Sequence, residues 1–285
     1  MAQQAYPESI ASAHFIGIGG AGMSGIALVL HQRGCKVTGS DLKSSRYVRD
    51  LEAAGVHVHI GHLADTIDEV QPDVVVISTA IPDSNPELVR ARELGIPVWP
   101  RAKMLSALSA DAVTVAVAGT HGKTTTSSMV ATMLDAMGLD PSFLVGGVVE
   151  GYDTNGRDGR GGYFVAEADE SDGSFLYLNP DVVVVTNIEE DHMDYYGSLV
   201  RLEATFQEFM GLVGEAGTVI VMGDVAHNVE LARATGRRVL TYGFDEACDY
   251  ACLPVAGRPH QPESTFDVRT PAGEVARVTI RANPG

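Results

Sequence analysis

Short apolar runs alternate along this chain with longer amphipathic stretches. The runs are His14 to Ile18, Lys36 to Thr38, Val74 to Ser78, Val113 to Ala118, Tyr163 to Ala166, Val182 to Thr186, Val219 to Met222 and Arg238 to Tyr242. Each is too short for a helix, and most are rich in β-branched residues, so they read as buried strands. Helix-length segments fill the gaps, a pattern that predicts an α/β fold with a mainly parallel sheet. Between the third and fourth runs, Trp99-Pro100-Arg101, a short helix and Ser109-Ala110-Asp111 mark a domain boundary near residue 108. The tail from Ser264 to Ile280 alternates around Thr270-Pro271-Ala272-Gly273 and reads as an antiparallel hairpin. Gly156 to Gly162 reads as a mobile loop.

Three of these runs end in unusual polar stretches. AVAGTHGKTTTSS, Ala116 to Ser128, has the form of a phosphate-binding loop, except that Val117 stands where the usual pattern has its first glycine. The chemistry survives that change. A strand from Ala112 to Ala118, a glycine turn and a helix over Met129 to Met137 would put a phosphate at a helix N-terminus. Lys123 would reach the β/γ-phosphates, and the Thr124 hydroxyl would ligate Mg²⁺. FVAEADESDGSF and TNIEEDHMDYYGS likewise break into polar runs at a strand's C-terminal end, where open α/β sheets bind ligands. Glu167 and His192 are therefore candidates for one site beside Thr124, with magnesium the expected ion. Imidazole is the less usual of the two as a magnesium ligand. So much acid next to a phosphate loop calls for a cation.

The first run carries a second glycine turn. In HFIGIGGAGMSGIALVLHQRG, Gly17, Gly19 and Gly22 fit G-x-G-x-x-G after a strand and before a helix, and Asp41 closes the next strand. This makes residues 1–108 a Rossmann-like domain and 109–285 a domain of the phosphate-loop type. Taken alone the turn suggests NAD; physically it asks only for a diphosphate on a helix N-terminus and a ribose hydroxyl near a carboxylate. A nucleotide sugar satisfies that equally well.

Composition narrows the partners. The 285 residues are 45% hydrophobic, and 37 acidic against 20 basic residues give a formal net charge of -17. That excess argues against a general nucleic-acid or anionic-membrane surface. Cys35, Cys248 and Cys252 have neither the number nor the spacing of a disulfide framework or zinc site. Met1 to Ser12 lacks the basic and apolar regions of a signal peptide, and no apolar run reaches ~18 residues, so a cytosolic protein is expected.

HFIGIGGAGMSGIA, GSD at Gly39 to Asp41, STAIPDSNPEL at Ser78 to Leu88, AGTHGKTTT, EADESDGSF and TNIEEDHMDYYGS resemble, in order and spacing, the muramyl ligase family. Within it, IGIGGAGMSG favours the alanine-adding branch over the tripeptide-recycling sibling. The resemblance implies an ATP-dependent, amide-forming ligase of peptidoglycan synthesis that uses UDP-N-acetylmuramate and L-alanine, with ATP and Mg²⁺. It implies that Gly17, Gly19, Gly20, Ala21, Gly22, Met23, Asp41, Ser78, Thr79, Ala80 and Ile81 hold the UDP-sugar. Gly119, Thr120, His121, Gly122, Lys123, Thr124, Thr125 and Asn187 would line the ATP site. Lys123, Glu167 and His192 would be catalytic, and Thr124, Glu167 and His192 would bind metal. Two departures follow. Leu199 to Leu212 contains no lysine, whereas several siblings carry a carbamylated one there. The family's later adenine-binding segment and amino-acid-binding third domain are not matched, so this stretch by itself is expected to bind without ligating. Rival readings are an NAD-dependent oxidoreductase and a non-catalytic nucleotide-sugar-binding module.

Overall fold

The computed structural model describes residues 10–254 and 263–281. The described residues fall into two compact units, one formed by residues 10–117 and 123–179, the other by 118–122, 180–254 and 263–281.

The first unit opens with β1 (Ser12–Ile16), α1 (Ala21–Gln32), β2 (Lys36–Asp41), α2 (Arg46–Ala53), β3 (His57–Ile60), α3 (Ala64–Val70), β4 (Val74–Ile77), α4 (Pro86–Glu93) and β5 (Val98–Pro100). These strands make an all-parallel sheet in the order β3-β2-β1-β4-β5, the order of the first five strands of a dinucleotide-binding fold, with its reversal between β1 and β4. β4 is Val-Val-Val-Ile because a central parallel strand is covered on both faces. α4 starts where it does because Asn85 Oδ1 accepts from the Glu87 and Leu88 N–H groups and Pro86 fills the first helical position.

The same unit continues through α5 (Arg101–Ser109), β6 (Val113–Ala118) as far as Val117, α6 (Lys123–Ala136), β7 (Ser142–Val149), β8 (Thr154–Arg157) and β9 (Tyr163–Glu167). β9 pairs in parallel with β6 and β7, and β8 lies antiparallel on β7. One core cluster runs from Phe15, Ile26, Val29 and Val37 through Met104 and Leu108 to Leu144 and Phe164. Polar contacts tie the same parts together: Arg33 donates to the Leu108 carbonyl at 2.7 Å and to Asp158 at 2.8 Å.

The second unit contains β10 (Val182–Val185), α7 (Met193–Tyr196), α8 (Leu199–Gly211), β11 (Thr218–Met222), α9 (Ala226–Ala234), β12 (Arg238–Gly243), β13 (Tyr250–Pro254), β14 (Glu263–Arg269) and β15 (Val275–Arg281). β10 to β13 run parallel in sequence order, and β13, β14 and β15 form an antiparallel meander. The expected hairpin is β14–β15, with Ser264 opposite Ile280. α8 buries Leu202, Phe206, Phe209 and Met210, a one-sided stripe at helical spacing.

Three expectations are corrected. α6 begins at Lys123, six residues before the apolar face at Met129, because a helix's first turn needs no apolar side chain. β3, β5, β7, β8 and β13 are strands beyond those expected; β3 is His-Val-His-Ile and β8 Thr-Asn-Gly-Arg, too polar to read as apolar runs, and β7 is interrupted by Gly146-Gly147. The loop expected over Gly156 to Gly162 is shorter: Gly156 and Arg157 belong to β8, and within the remaining 158–162 Gly161 packs so tightly that a Cβ would overlap the Leu139 carbonyl oxygen. Among the described residues no helix is long and apolar enough to cross a membrane.

Candidate functional site

The first glycine turn is built against the end of β2. The Gly17 and Ile18 N–H groups both donate to the Ser40 carbonyl, at 2.8 and 3.0 Å, and the Gly19 N–H donates to Asp41 Oδ2 at 2.9 Å. A Cβ on Gly19 would lie within 3 Å of Val48, Asp41 and Ser45, so only glycine fits beneath this carboxylate. Gly20 is the N-cap of α1 and supplies no side chain, and the first turn of α1 holds no acidic residue. A helix start of that kind favours an anion. Ile81 of the Ser78–Ile81 segment packs 3.1 Å from where a Gly17 Cβ would be, so two of the anticipated substrate segments meet. Thr79 Oγ1 donates to Asp172 at 3.1 Å, and Ala80 is exposed. Met23, by contrast, is 2% exposed and belongs to the core, and its N–H donates to the Gly20 carbonyl at 3.1 Å.

The second glycine turn divides between the two units after Gly122. In the first unit, Lys123 Nζ donates to Glu170 Oε1 at 2.7 Å. Glu170 is buried, which pushes its carboxyl above the ordinary glutamate value despite the lysine partner. Thr124 Oγ1 lies 3.1 Å from Glu167 Oε1, and Glu167 Oε2 accepts the Gly146 N–H at 2.7 Å. Thr125 is exposed on the first turn of α6.

In the second unit, Gly119 has φ +137° and lies against Thr186 and Asn187. The Thr120 N–H donates to the Asn187 carbonyl at 3.1 Å, and Thr120 Oγ1 accepts the Glu189 N–H at 2.9 Å. Both ends of the Asn187 side chain hold the loop at His121: Oδ1 accepts the His121 N–H at 2.8 Å, and Nδ2 donates to its carbonyl at 3.1 Å. His192 adopts a left-handed backbone ahead of α7, and its N–H donates to Asp191 Oδ1 at 2.8 Å. Thr124 and Glu167 are thus brought together, while His192 lies in the other unit.

Oxygen donors from Thr124 and Glu167 fit a hard divalent cation. No group of three or more His, Cys, Asp or Glu residues among those described forms a closed metal cage. Magnesium needs none, since it is typically held by one or two protein oxygens, substrate phosphates and water.

Sequence reasoning missed three residues here. Asn155 of β8 donates to the Ala21 carbonyl at 2.6 Å, bracing the first turn of α1 from another strand. Arg101 reaches both Gly22 and Asp169. Glu87 is fully buried behind Ser40, accepting its hydroxyl at 2.5 Å and His62 Nδ1 at 3.1 Å, with His14 Nε2 3.7 Å away. The run WPR and the dipeptide Pro86-Glu87 were visible, but nothing in their spacing says what they touch.

Residues 12–112 match the family model for the Mur ligase catalytic domain, and residues 117–281 match that for the Mur ligase middle domain. The chain belongs to the Mur ligase family. A UDP-N-acetylmuramate--L-alanine ligase from Geotalea daltonii is 46% identical over 85% of this chain and 52% of that protein. A crystal structure from Neisseria meningitides, of UDP-N-acetylmuramate:L-alanyl-gamma-D-glutamyl-meso-diaminopimelate ligase, superposes with a TM-score of 0.83 at 30% identity, covering 95% of this chain and 87% of that one. UDP-N-acetylmuramate-alanine ligase from Thermotoga maritima gives 0.80 at 29% identity, over 95% and 61%. The chain spans about half the length of the curated relatives it matches. The α/β fold of the chain is accordingly that of a Mur ligase.

Proposed function

We propose that this Mur ligase chain serves the ATP-dependent joining of L-alanine to UDP-N-acetylmuramate in peptidoglycan precursor synthesis, in the cytoplasm. The observation that carries the reading is the pairing, within one compact unit, of an acid-free helix start at Gly20 with the Lys123, Thr124 and Glu167 cluster. One suits the diphosphate of a sugar nucleotide and the other the phosphates of ATP. The curated relatives named UDP-N-acetylmuramate--L-alanine ligase, at 46 to 50% identity, favour alanine over the tripeptide handled by the Neisseria enzyme.

On this reading residues 1–108 hold the UDP-sugar, with Gly19 to Met23, Asp41 and Ser78 to Ile81 around it. Residues 109–285 hold ATP on Gly119 to Thr125, with Asn187 fixing the loop. A carboxylate is a poor acyl donor at neutral pH. Transfer of the γ-phosphoryl group to the lactyl carboxylate gives ADP and an acyl phosphate, which the amine of L-alanine attacks, releasing phosphate. Lys123 leaves Glu170 to stabilise the phosphoryl group in flight, a task of charge neutralisation and positioning. Thr124 and Glu167 would hold Mg²⁺, which would supply neutralisation of phosphate charge, and His192 would support a second ion.

Calorimetry tests the reading at its base. The chain should bind UDP-N-acetylmuramate saturably, show no saturable heat with NAD, and lose the UDP-sugar heat in Gly19→Val. Tighter binding of NAD than of UDP-N-acetylmuramate would overturn it.

A further inference from the structure

Gly22 is the third glycine of the first turn, the one that sequence rules assign to close packing of helix on strand. Here a guanidinium occupies that space. A Cβ on Gly22 would lie 2.5 Å from Arg101 Nη1. The same guanidinium donates from Nη2 to Asp169 Oδ2 at 2.5 Å. Asp169 follows Glu167 by two residues, and its other oxygen accepts the Ser171 N–H at 3.0 Å, so the acidic turn is fixed on both sides. Arg101 is the first residue of α5, directly after Pro100, whose strand pairs with Ile77 of β4. The side chain is 22% exposed and spans from a rigid base to two turns.

We propose that Arg101 is a positioning residue that ties the sugar-nucleotide turn to the acidic turn carrying Glu167, so that UDP-sugar and metal-nucleotide bind cooperatively. This rests on the function proposed above. A ligand that settles the first turn of α1 fixes the surface at Gly22 against which the guanidinium lies. The guanidinium then holds Asp169, and through the single intervening residue Ala168 also Glu167, in place. Arginine suits the task because its planar fork meets two partners at once, whereas a lysine ammonium is a single point charge. Coupling of this kind is reciprocal: each ligand raises the affinity of the other by the same factor.

The experiment is calorimetry of UDP-N-acetylmuramate binding with and without a saturating magnesium complex of a non-hydrolysable ATP analogue. The nucleotide should raise affinity for the UDP-sugar by about fivefold or more, the lower end of ordinary coupling energies. Arg101→Met and, independently, Asp169→Asn should bring that ratio close to one while each protein still binds either ligand alone. Gly22→Ala pushes the end of the arginine side chain aside and should also bring the ratio close to one, whatever it does to UDP-sugar affinity by itself, since Gly22 belongs to the sugar-nucleotide turn. Added to Arg101→Met, it should change the ratio no further. An unchanged ratio in Arg101→Met and Asp169→Asn overturns the proposal. So does an equal loss of UDP-sugar affinity with and without nucleotide, which would make Arg101 a direct ligand or a structural strut. Independent binding of the two ligands to the unaltered chain overturns the coupling and leaves the proposed function standing; absence of UDP-sugar binding overturns both.

Discussion

Replacing Gly119 by alanine should cost far more than replacing Gly122, three residues on in the same loop. At Gly119 an ideal Cβ would sit 2.0 Å from Thr186 Oγ1 and 3.0 Å from the backbone N and O of Asn187. Thr186 cannot simply turn away, because its hydroxyl donates to the His121 carbonyl at 2.6 Å, and the Asn187 backbone is held by Thr120. Either the hydroxyl gives up its bond, leaving a buried polar group unsatisfied at roughly 1–3 kcal/mol, or the loop moves. The φ of +137° adds roughly 1–3 kcal/mol of backbone strain for any residue with a Cβ. Gly122, at φ +82°, carries a comparable strain, but its nearest neighbour is Thr186 Cγ2 at 4.0 Å, an ordinary contact. The strain cancels in the comparison, and the clash does not. Gly119→Ala should therefore be less stable than Gly122→Ala by about 2 kcal/mol. At roughly 2–4 °C per kcal/mol for a domain of this size, the two thermal midpoints should differ by about 4–8 °C. Differential scanning fluorimetry of both variants in one buffer reads this directly. Equal midpoints would show that Thr186 yields without cost and that the loop is not held as described.

Two further predictions concern buried carboxyls. Glu170 has a raised pKa, chiefly from burial, so its protonated form favours the folded state; the stability this adds is complete below about 4.5 and disappears as pH rises through the folded-state value. Glu170→Gln should flatten that part of the urea-midpoint profile and, by releasing Lys123, tighten MgATP binding at neutral pH; unchanged affinity would mean the ion pair does not compete with ATP. Glu87 is the opposite case. Burial raises its pKa, but His14, Ser40 and the charges of His14 and His62 more than offset that, so its contribution is present above about 4.5 and lost as pH falls through the lowered value. Glu87→Gln should lose about 1–3 kcal/mol at neutral pH and show a shallower acid transition. An acid limb identical to that of the unaltered chain would place the controlling carboxyl elsewhere.

What the sequence made legible follows from the range of the forces involved. Val182 to Val185 and Val74 to Ile77 could be read because a strand covered on both faces must be apolar throughout. Glycine turns could be read because backbone geometry forces a residue type at fixed spacing. β8 could not: Thr-Asn-Gly-Arg is a strand because Asn155 and Gly156 pack on α1, more than 120 residues earlier in the chain. Lys123, Thr124 and Glu167 were legible as chemistry, but the lysine's present partner was not, since Glu170 is only one of several acids in its run. Arg101 is the sharpest case. Its position in Trp99-Pro100-Arg101 read as punctuation between domains, and the glycine it opposes read as the third position of a diphosphate-binding turn. Neither residue alone indicates the other, because a long flexible side chain can reach any surface within several ångströms and leaves no periodic trace. Local motifs thus specify which ligands a chain such as this can hold, while the residues that could couple those ligands become visible only when the glycine's missing side chain is replaced, in space, by a group from elsewhere.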